Sequence, residues 1–511
     1  MPAGPRTPVL VGVAQHVGRE DDPARGLSPA NLLAEAARGA IADSGADSGA
    51  GGGADAAGAI DTLVAIRLFA DSGGAFPSPF GTYRNLPYAV ARRIGAHPRD
   101  LIYGPVGGNT PQMFVNVLAG RIANGESDVA LIVGGEALRT QARAEKAGLK
   151  LDWSEDAPSD PAPCGEETRY ASAHEIGHGI ALPTNVYPLF ENAFGAAMGW
   201  SPLQHRAEIG HLMAPFSAVA ADNPFAQVRT AYTAEALVQP TEDNRIIAYP
   251  YTKHLCANMF VDQAAAVLMM STEAADRLGV PADRRVYLHG SADTHEKILV
   301  SERIDYATSP AIRIGAAHAL AQAGIVPDDL GCIDLYSCFP VAVEIAAAMI
   351  GLPTEDPARL TLTGGLPYFG GPGNAYSMHA VAEVVEHCRG DAGAWGFVFA
   401  NGGFLTKHSF GVYSARPGYA ARSDPASYQA AIDAMPSPPF TETPAGDGRL
   451  ETFTVVHHKG APAFAIVIGR LDSGERFLAQ MHAGLEPLME TPVIGHRLRV
   501  SAGEPNIAAL I

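Results

Sequence analysis

The chain carries one stretch of sequence twice, and that repetition constrains its fold more than any other feature. Ser28–Gly45 (SPANLLAEAARGAIADSG) returns as Ser309–Gly324 (SPAIRIGAAHALAQAG), and each copy leads to an apolar stretch beginning Ile-Asp, at Ile60-Asp61 and Ile333-Asp334. Farther on, Gly108-Asn109 opens a helical pattern that ends at Asn124-Gly125-Glu126 and runs into VALIVGGEAL. A shift of 265 residues finds Gly373-Asn374 opening a helix that ends at Arg389-Gly390-Asp391 and runs into AWGFVFANGG. The matching order argues for a duplicated unit and against a solenoid, whose periods are roughly 20–50 residues. Two strand–helix–strand units related by a pseudo-twofold would set their helix N-termini face to face at the centre. A constellation there can do chemistry.

Strand signals fall at 8–14, 61–67 and 128–134, and again at 286–291, 331–336 and 395–400, with helical patterns between them. The pattern predicts an α/β protein with mostly parallel inner strands. The Gly/Ala-rich run 43–59 reads as a surface bulge. Residues 137–260 interrupt the first half with polar loops and helical segments, and read as an inserted cap (loop) domain. The expected division is 1–136 plus 261–280 for the N-terminal half, 281–416 for the C-terminal half, a linker at 417–447, and 448–511 as a small β-barrel. The short alternating strands LETFTVVHH, AFAIVIGRL and RFLAQMHA give the last domain an oligonucleotide/oligosaccharide-binding (OB-like) pattern.

At 511 residues and 47 % hydrophobic, the chain can bury more than one core. Its net charge of −18 speaks against nucleic acid and anionic membrane as partners, which require clustered positive charge. The five cysteines, Cys164, Cys256, Cys332, Cys338 and Cys388, are odd in number and lack a CxxC pair. They read as reduced thiols, and the N-terminus lacks the order of a signal peptide, so a cytoplasmic location is expected.

Four motifs, in order, resemble those of the thiolase superfamily in its sterol-carrier-type branch. They are NPFAQVRTAYTAE (223–235), RIIAYPYTKHLCANMFVDQAAAVLM (245–269), IDLYSCF (333–339) where the family has NEAF or HDCF, and GGLPYFGGPGNAYS (364–377) where it has a GHP motif. The similarity covers about 5–415, and the extra β-domain resembles that of type 1 thiolase-like proteins (acetyl-CoA acetyltransferase-like). It implies a duplicated five-layer αβαβα fold, a homodimer, and an acyl-CoA thioester as ligand, with coenzyme A entering as part of the substrate and no tightly bound cofactor.

The resemblance fails at the family's catalytic positions. Gly108 stands where the nucleophilic cysteine belongs, Gly371 where the GHP histidine belongs, Ala400 or Asn401 at the second cysteine, and Tyr336 at the NEAF asparagine. A glycine holds no acyl group, so covalent thiolysis through this position is excluded. What remains is an oxyanion scaffold formed by Gly108, Asn109, Gly371, Asn401, Gly402 and Gly403, with Tyr336, Tyr376, His379 and His408 as the groups able to move protons. The superfamily resemblance implies non-covalent enolate chemistry, retro-aldol or Claisen-type, with Tyr336 as acid/base once a cation or helix dipole lowers its pKa. Each candidate also has a packing reading: Tyr336 as a space-filler, His379 as a core histidine, Lys407 of a Gly-flanked loop as an ion-pair partner, Cys338 as a small hydrophobe. A non-catalytic acyl-CoA-binding protein is the alternative.

His174-Glu175-Ile176-Gly177-His178 matches the HExxH pattern of zinc hydrolases, a distant third reading. The positions of a further ligand hold Ala181 and Thr184, and no metal is expected. His178 is read instead as a cap residue facing the acyl group.

Overall fold

The Ser-Pro pair that opens each copy of the repeat starts a helix in the same way twice. Ser28 and Ser309 accept hydrogen bonds from the backbone N–H of Asn31 and Ile312, with proline at the first helical position of both helices. The hydroxyl satisfies an orphan donor and the fixed φ of proline suits the first turn. A computed structural model describes residues 4–46, 56–73, 76–162, 164–165 and 168–511. Most of the bulge expected at 43–59, residues 47–55, lies outside the described residues.

In chain order the strands are β1 (Pro8–Val17), β2 (Thr62–Ala65), β3 (Asp100–Tyr103), β4 (Val129–Ala137), β5 (Ile246–Ala248), β6 (Tyr251–Thr252), β7 (Asp262–Ser271), β8 (Val286–His295), β9 (Cys332–Leu335), β10 (Gly396–Gly402) and β11 (Lys407–Ser414). The C-terminal domain adds β12 (Gly446–His458), β13 (Ala461–Leu471), β14 (Arg476–Met481), β15 (Arg497–Ser501) and β16 (Ile507–Leu510). The helices are α1 (Pro29–Asp43), α2 (Leu86–Ile94), α3 (Thr110–Ala123), α4 (Leu138–Lys146), α5 (Ala173–Gly177), α6 (Pro183–Ala197), α7 (Pro202–Asp222) and α8 (Ala234–Val238). They continue with α9 (Thr272–Arg277), α10 (Pro310–Ala323), α11 (Pro340–Ile350), α12 (Tyr376–Gly390), α13 (Ala426–Asp433) and α14 (Leu485–Glu490).

The core strands run in the order β3-β2-β4-β7-β1-β8-β11-β10-β9. Read outward from the centre, β1-β7-β4-β2 is mirrored by β8-β11-β10-β9, which is the duplication in space. The halves meet where Val9 pairs with Tyr287 and Leu10 with Val286. Parallel pairing is confined to β2 with β3 and β4, and to β9 with β10. β7 and β11 run antiparallel to both neighbours, which corrects the expectation of mostly parallel inner strands. For β11 the reason is the short 403–406 turn, which suffices for an antiparallel neighbour but not for a parallel crossover.

β7 shows how the layers form. Ala264, Ala266, Leu268 and Met270 pack in the cluster that contains α1, whereas Ala265, Val267 and Met269 pack in the cluster that contains α3 and α12. A strand covered on both faces is apolar throughout. α3 and α12 are the shared middle layer, α1 covers the outer face of one half-sheet, and α10 with α11 covers the other. The result is a duplicated five-layer αβαβα fold with a cap between β4 and β7.

β12, β13, β14, β16 and β15 close into a five-stranded barrel, and β5 of the cap adds to it through Ala248 and Val456. Arg476 ties the barrel to the core: it is 1 % exposed, pairs with Glu451 at 2.6 Å and donates to the carbonyls of Ser301, Arg303 and Ile304. The segment 417–447 contains α13, whose Tyr428 hydroxyl accepts from the backbone N–H of Asp293. Among the described residues no helix is long and apolar enough to cross a membrane.

Candidate active site

The two helix starts do face one another. Gly107, with a φ of +151° that favours glycine, leads into α3, and its N–H donates to Asn374 Oδ1 at 3.0 Å from the start of α12. Ser377 returns a hydrogen bond to the Gly108 carbonyl at 2.8 Å. Asn109 stands at the N-cap of α3 without capping it: its Nδ2 donates to Ser409 at 3.2 Å, and its buried Oδ1 has no partner. At the start of α3 the Thr110 N–H donates to the Gly107 carbonyl at 3.0 Å and Pro111 has no N–H, which leaves the N–H groups of Gly108, Asn109 and Gln112 without an acceptor among the described residues. Those groups are open to an oxygen carrying negative charge.

Tyr336 fills the space in front of Gly108. A Cβ at position 108 would sit 2.2 Å from the Tyr336 hydroxyl and 2.6 Å from the Asn401 carbonyl oxygen. The space into which any side chain at position 108 would project is thus taken by a phenol. Gly402 closes the other side, since a Cβ there would meet Asn109 Oδ1 at 2.5 Å and the Gly108 nitrogen at 3.2 Å. Both positions require glycine for close approach. Asn401 turns its amide to the Tyr187 hydroxyl at 2.8 Å and leaves a buried Oδ1 without a partner.

Burial drives the Tyr336 phenol well above its ordinary value, with the nearby Cys338 thiol adding to the effect. Burial prevails at this position, so Tyr336 is a neutral donor and the expected lowering does not occur. Cys338 itself is pushed up to about 12 by burial and packs beside Tyr187 and Asn401.

The other candidates lie outside this cluster of Gly108, Asn109, Tyr336, Asn401 and Gly402. Tyr376 is locked to Thr363 Oγ1 at 2.5 Å and Asp334 Oδ1 at 3.2 Å, although its ring meets that of Tyr336 edge-on at 5.3 Å. His379 is fully buried, hydrogen-bonded to Gln15 at 2.8 Å and packed on Phe369, with burial lowering its pKa to about 3. It is a neutral core side chain. His408 and Lys407 belong to β11 and not to a loop. His408 stacks on Phe399, and burial followed by the charges of Arg303 and His295 holds it neutral. Gly371 faces Leu366 and the Asn258 carbonyl, and Gly403, at φ +69°, faces Tyr170.

Asn374, Ser377 and Tyr187 were not singled out from the sequence. Asn374 carried a signal, because it opens the second copy of the Gly-Asn repeat; Ser377 carried none, since the matching position in the first copy is Gln112. Tyr187 carried none, since it reaches Asn401 from the cap.

The HExxH segment is committed elsewhere. Glu175 accepts from the backbone N–H of Ser172 and Ser301, both at 2.8 Å. His178 Nδ1 meets the His174 carbonyl at 2.7 Å, and Nε2 accepts from the Asn506 N–H of the barrel at 3.0 Å. His178 thus seats the C-terminal domain and does not face an acyl group. The glutamate has no free oxygen for a metal-bound water.

Residues 427–504 match the family described as the thiolase-like protein type 1 additional C-terminal domain. A monomeric SCP2-thiolase-like protein type 1 from Mycobacterium smegmatis has a crystal structure similar over 100 % of both chains, with 39 % identity and a TM-score of 0.85. The mitochondrial acetyl-CoA acetyltransferase A of Xenopus laevis is 29 % identical over 28 % of this chain and 31 % of its own, so the match spans under a third of that relative. Human mitochondrial 3-ketoacyl-CoA thiolase, 15 % identical with a TM-score of 0.55 over 81 % of this chain and 100 % of its own, shares the fold.

Proposed function

This chain belongs to the thiolase superfamily, in its SCP2-thiolase-like type 1 branch, and from that premise we propose that it acts on an acyl-CoA thioester without forming an acyl-enzyme. The observation that carries the reading is the Tyr336 hydroxyl standing against Gly108, where a nucleophile would have to be. The thioester oxygen would accept from the open N–H groups of Gly108, Asn109 or Gln112, with the neutral Tyr336 phenol as a further donor. Charge that builds on that oxygen when the neighbouring C–C bond breaks or forms is stabilised by such preorganised donors. Retro-aldol or Claisen-type enolate chemistry fits the site because neither needs an acyl-enzyme. No tightly bound cofactor enters this scheme, and coenzyme A arrives as part of the substrate.

The test is incubation with a β-hydroxyacyl-CoA and separately with a 3-ketoacyl-CoA, followed by mass analysis of small molecules and of intact protein. C–C cleavage with no acyl adduct on the protein is the expected result. An adduct on any cysteine overturns it. A second reading, an acyl-CoA-binding protein without turnover, is favoured by the neutrality of Tyr336, His379 and His408. Binding without any product would select it.

The homodimer that the resemblance implies would find one of the two sheet edges already occupied. β3, the edge of the first half-sheet, is already bridged by Ala162, whose N–H donates to the Leu101 carbonyl at 2.8 Å. Together with the monomeric state of the 39 % identical relative, this supports a monomer, which light scattering would check.

A further inference from the structure

A base is the part missing from the acyl-CoA site. Retro-aldol cleavage needs a group that takes a proton from the β-hydroxyl, and the neutral tyrosines, the buried histidines and Cys338 are unsuited to it. Lys407 lies at the first position of β11, in register with Gly402 of β10 and His295 of β8. Its neighbour on the same face, Ser409, holds Asn109, so Lys407 points towards the start of α3. Nζ donates to the Val106 carbonyl at 2.8 Å and lies 5.2 Å from the centre of the Tyr170 ring. A side chain at position 107 would begin 3.5 Å from Nζ, so Gly107 keeps the space between the amine and the Gly108 turn open. Among the described residues no carboxylate forms an ion pair with Lys407. The groups facing it are His295, Tyr170 and the positive end of α3.

On the reading of the site as non-covalent acyl-CoA chemistry, we propose that Lys407 is its proton-transfer residue. The amine takes the β-hydroxyl proton and the C–O bond becomes a carbonyl. The Cα–Cβ bond breaks, and its electron pair passes to the thioester as an enolate held at the start of α3. The ammonium then returns the proton to Cα. A β-hydroxyacyl thioester becomes an aldehyde or ketone and a shorter acyl thioester, with no other reactant consumed. Burial lowers the Lys407 pKa to about 8, which puts both protonation states within reach near neutral pH. A cation at a helix N-terminus is disfavoured in the same direction.

The test uses the full chain and two variants, Lys407→Met and Lys407→Arg, with β-hydroxyacyl-CoA turnover and the affinity for a non-cleavable thioether analogue measured in parallel. Both variants are expected to lose about 10²–10⁴ in turnover. Their affinity for the analogue should stay within about threefold of wild type, the limit set for unperturbed binding. Wild-type kcat/KM should rise with pH to a plateau above about 8. Reductive ¹³C-methylation of the amines gives a readout independent of activity: besides the α-amino signal, a lysine signal titrating near 8 that is absent from K407R. Turnover by K407M within about threefold of wild type overturns the assignment and leaves the acyl-CoA chemistry standing. Lysine signals that all titrate at the ordinary value overturn it as well. A wild-type protein that binds the analogue and cleaves no β-hydroxyacyl-CoA overturns the enzymatic reading, and the base with it.

Discussion

Gly108→Ala is the substitution that tests the central geometry most directly. The added methyl would lie 2.2 Å from the Tyr336 hydroxyl, 2.7 Å from Tyr336 Cζ and 2.6 Å from the Asn401 carbonyl oxygen. None of these is the free end of a flexible chain: one partner is a ring packed on Tyr376, the other is strand backbone. Overpacking of this kind costs about 1–3 kcal/mol, and two rigid partners favour a value of about 2 kcal/mol or more. For a domain of about 150–250 residues that corresponds to a fall in Tm of roughly 4–8 °C. The assay is a double-mutant cycle by calorimetry with Gly108→Ala, Tyr336→Ala and the pair. Tyr336→Ala alone is costly because it empties a buried site, but it removes two of the three clashing atoms. The cost of Gly108→Ala should therefore fall by at least about 1 kcal/mol in the Tyr336→Ala background, within the range of coupling between contacting residues. Equal costs in both backgrounds, or a harmless Gly108→Ala, would mean that the phenol does not stand in front of Gly108.

Tyr336→Phe should lower acyl-CoA turnover by about 10²–10³, the usual loss for one oxyanion donor, while affinity for a thioether analogue is kept because the ring still fills its space. Cys338→Ala should be mild for turnover by the same assay, since burial holds the thiol neutral at about 12. Glu136 is buried, accepts from the Phe69 N–H at 2.7 Å, and burial raises its pKa from 4.5 to about 8. Its contribution to stability is complete below 4.5 and is lost as pH rises to about 8, at a slope of up to about 1.4 kcal/mol per pH unit. Glu136→Gln keeps the acceptor and should flatten that part of the Tm–pH curve; an unchanged curve would show that Glu136 does not titrate there. Zinc and EDTA should each leave Tm and turnover unaltered, because Glu175 and His178 are committed to backbone groups and to the barrel. A zinc-dependent shift abolished by His174→Ala would reverse that conclusion.

Much of the architecture was legible because it rests on local, repeated signals. The Ser-Pro starts of α1 and α10, the Gly-Asn turns before α3 and α12, and the apolar run of β7 each follow from capping, turn chemistry or burial on two faces. The same repeat located the Gly108 turn. Strand direction was less legible: β11 was read as a loop at Lys407-His408 because a four-residue turn and a polar strand start carry little periodicity. The site residues divided along the same line. Glycines at 108 and 402 are dictated by sequence position, but whether Tyr336, His379, His408 or Lys407 can move a proton depends on what surrounds them in three dimensions. Burial in the core decided their protonation, and the register of β9, β10 and β11 decided which of them face the start of α3. Those are sums over neighbours distant in sequence, so the chain's local pattern named the candidates and the tertiary structure selected among them.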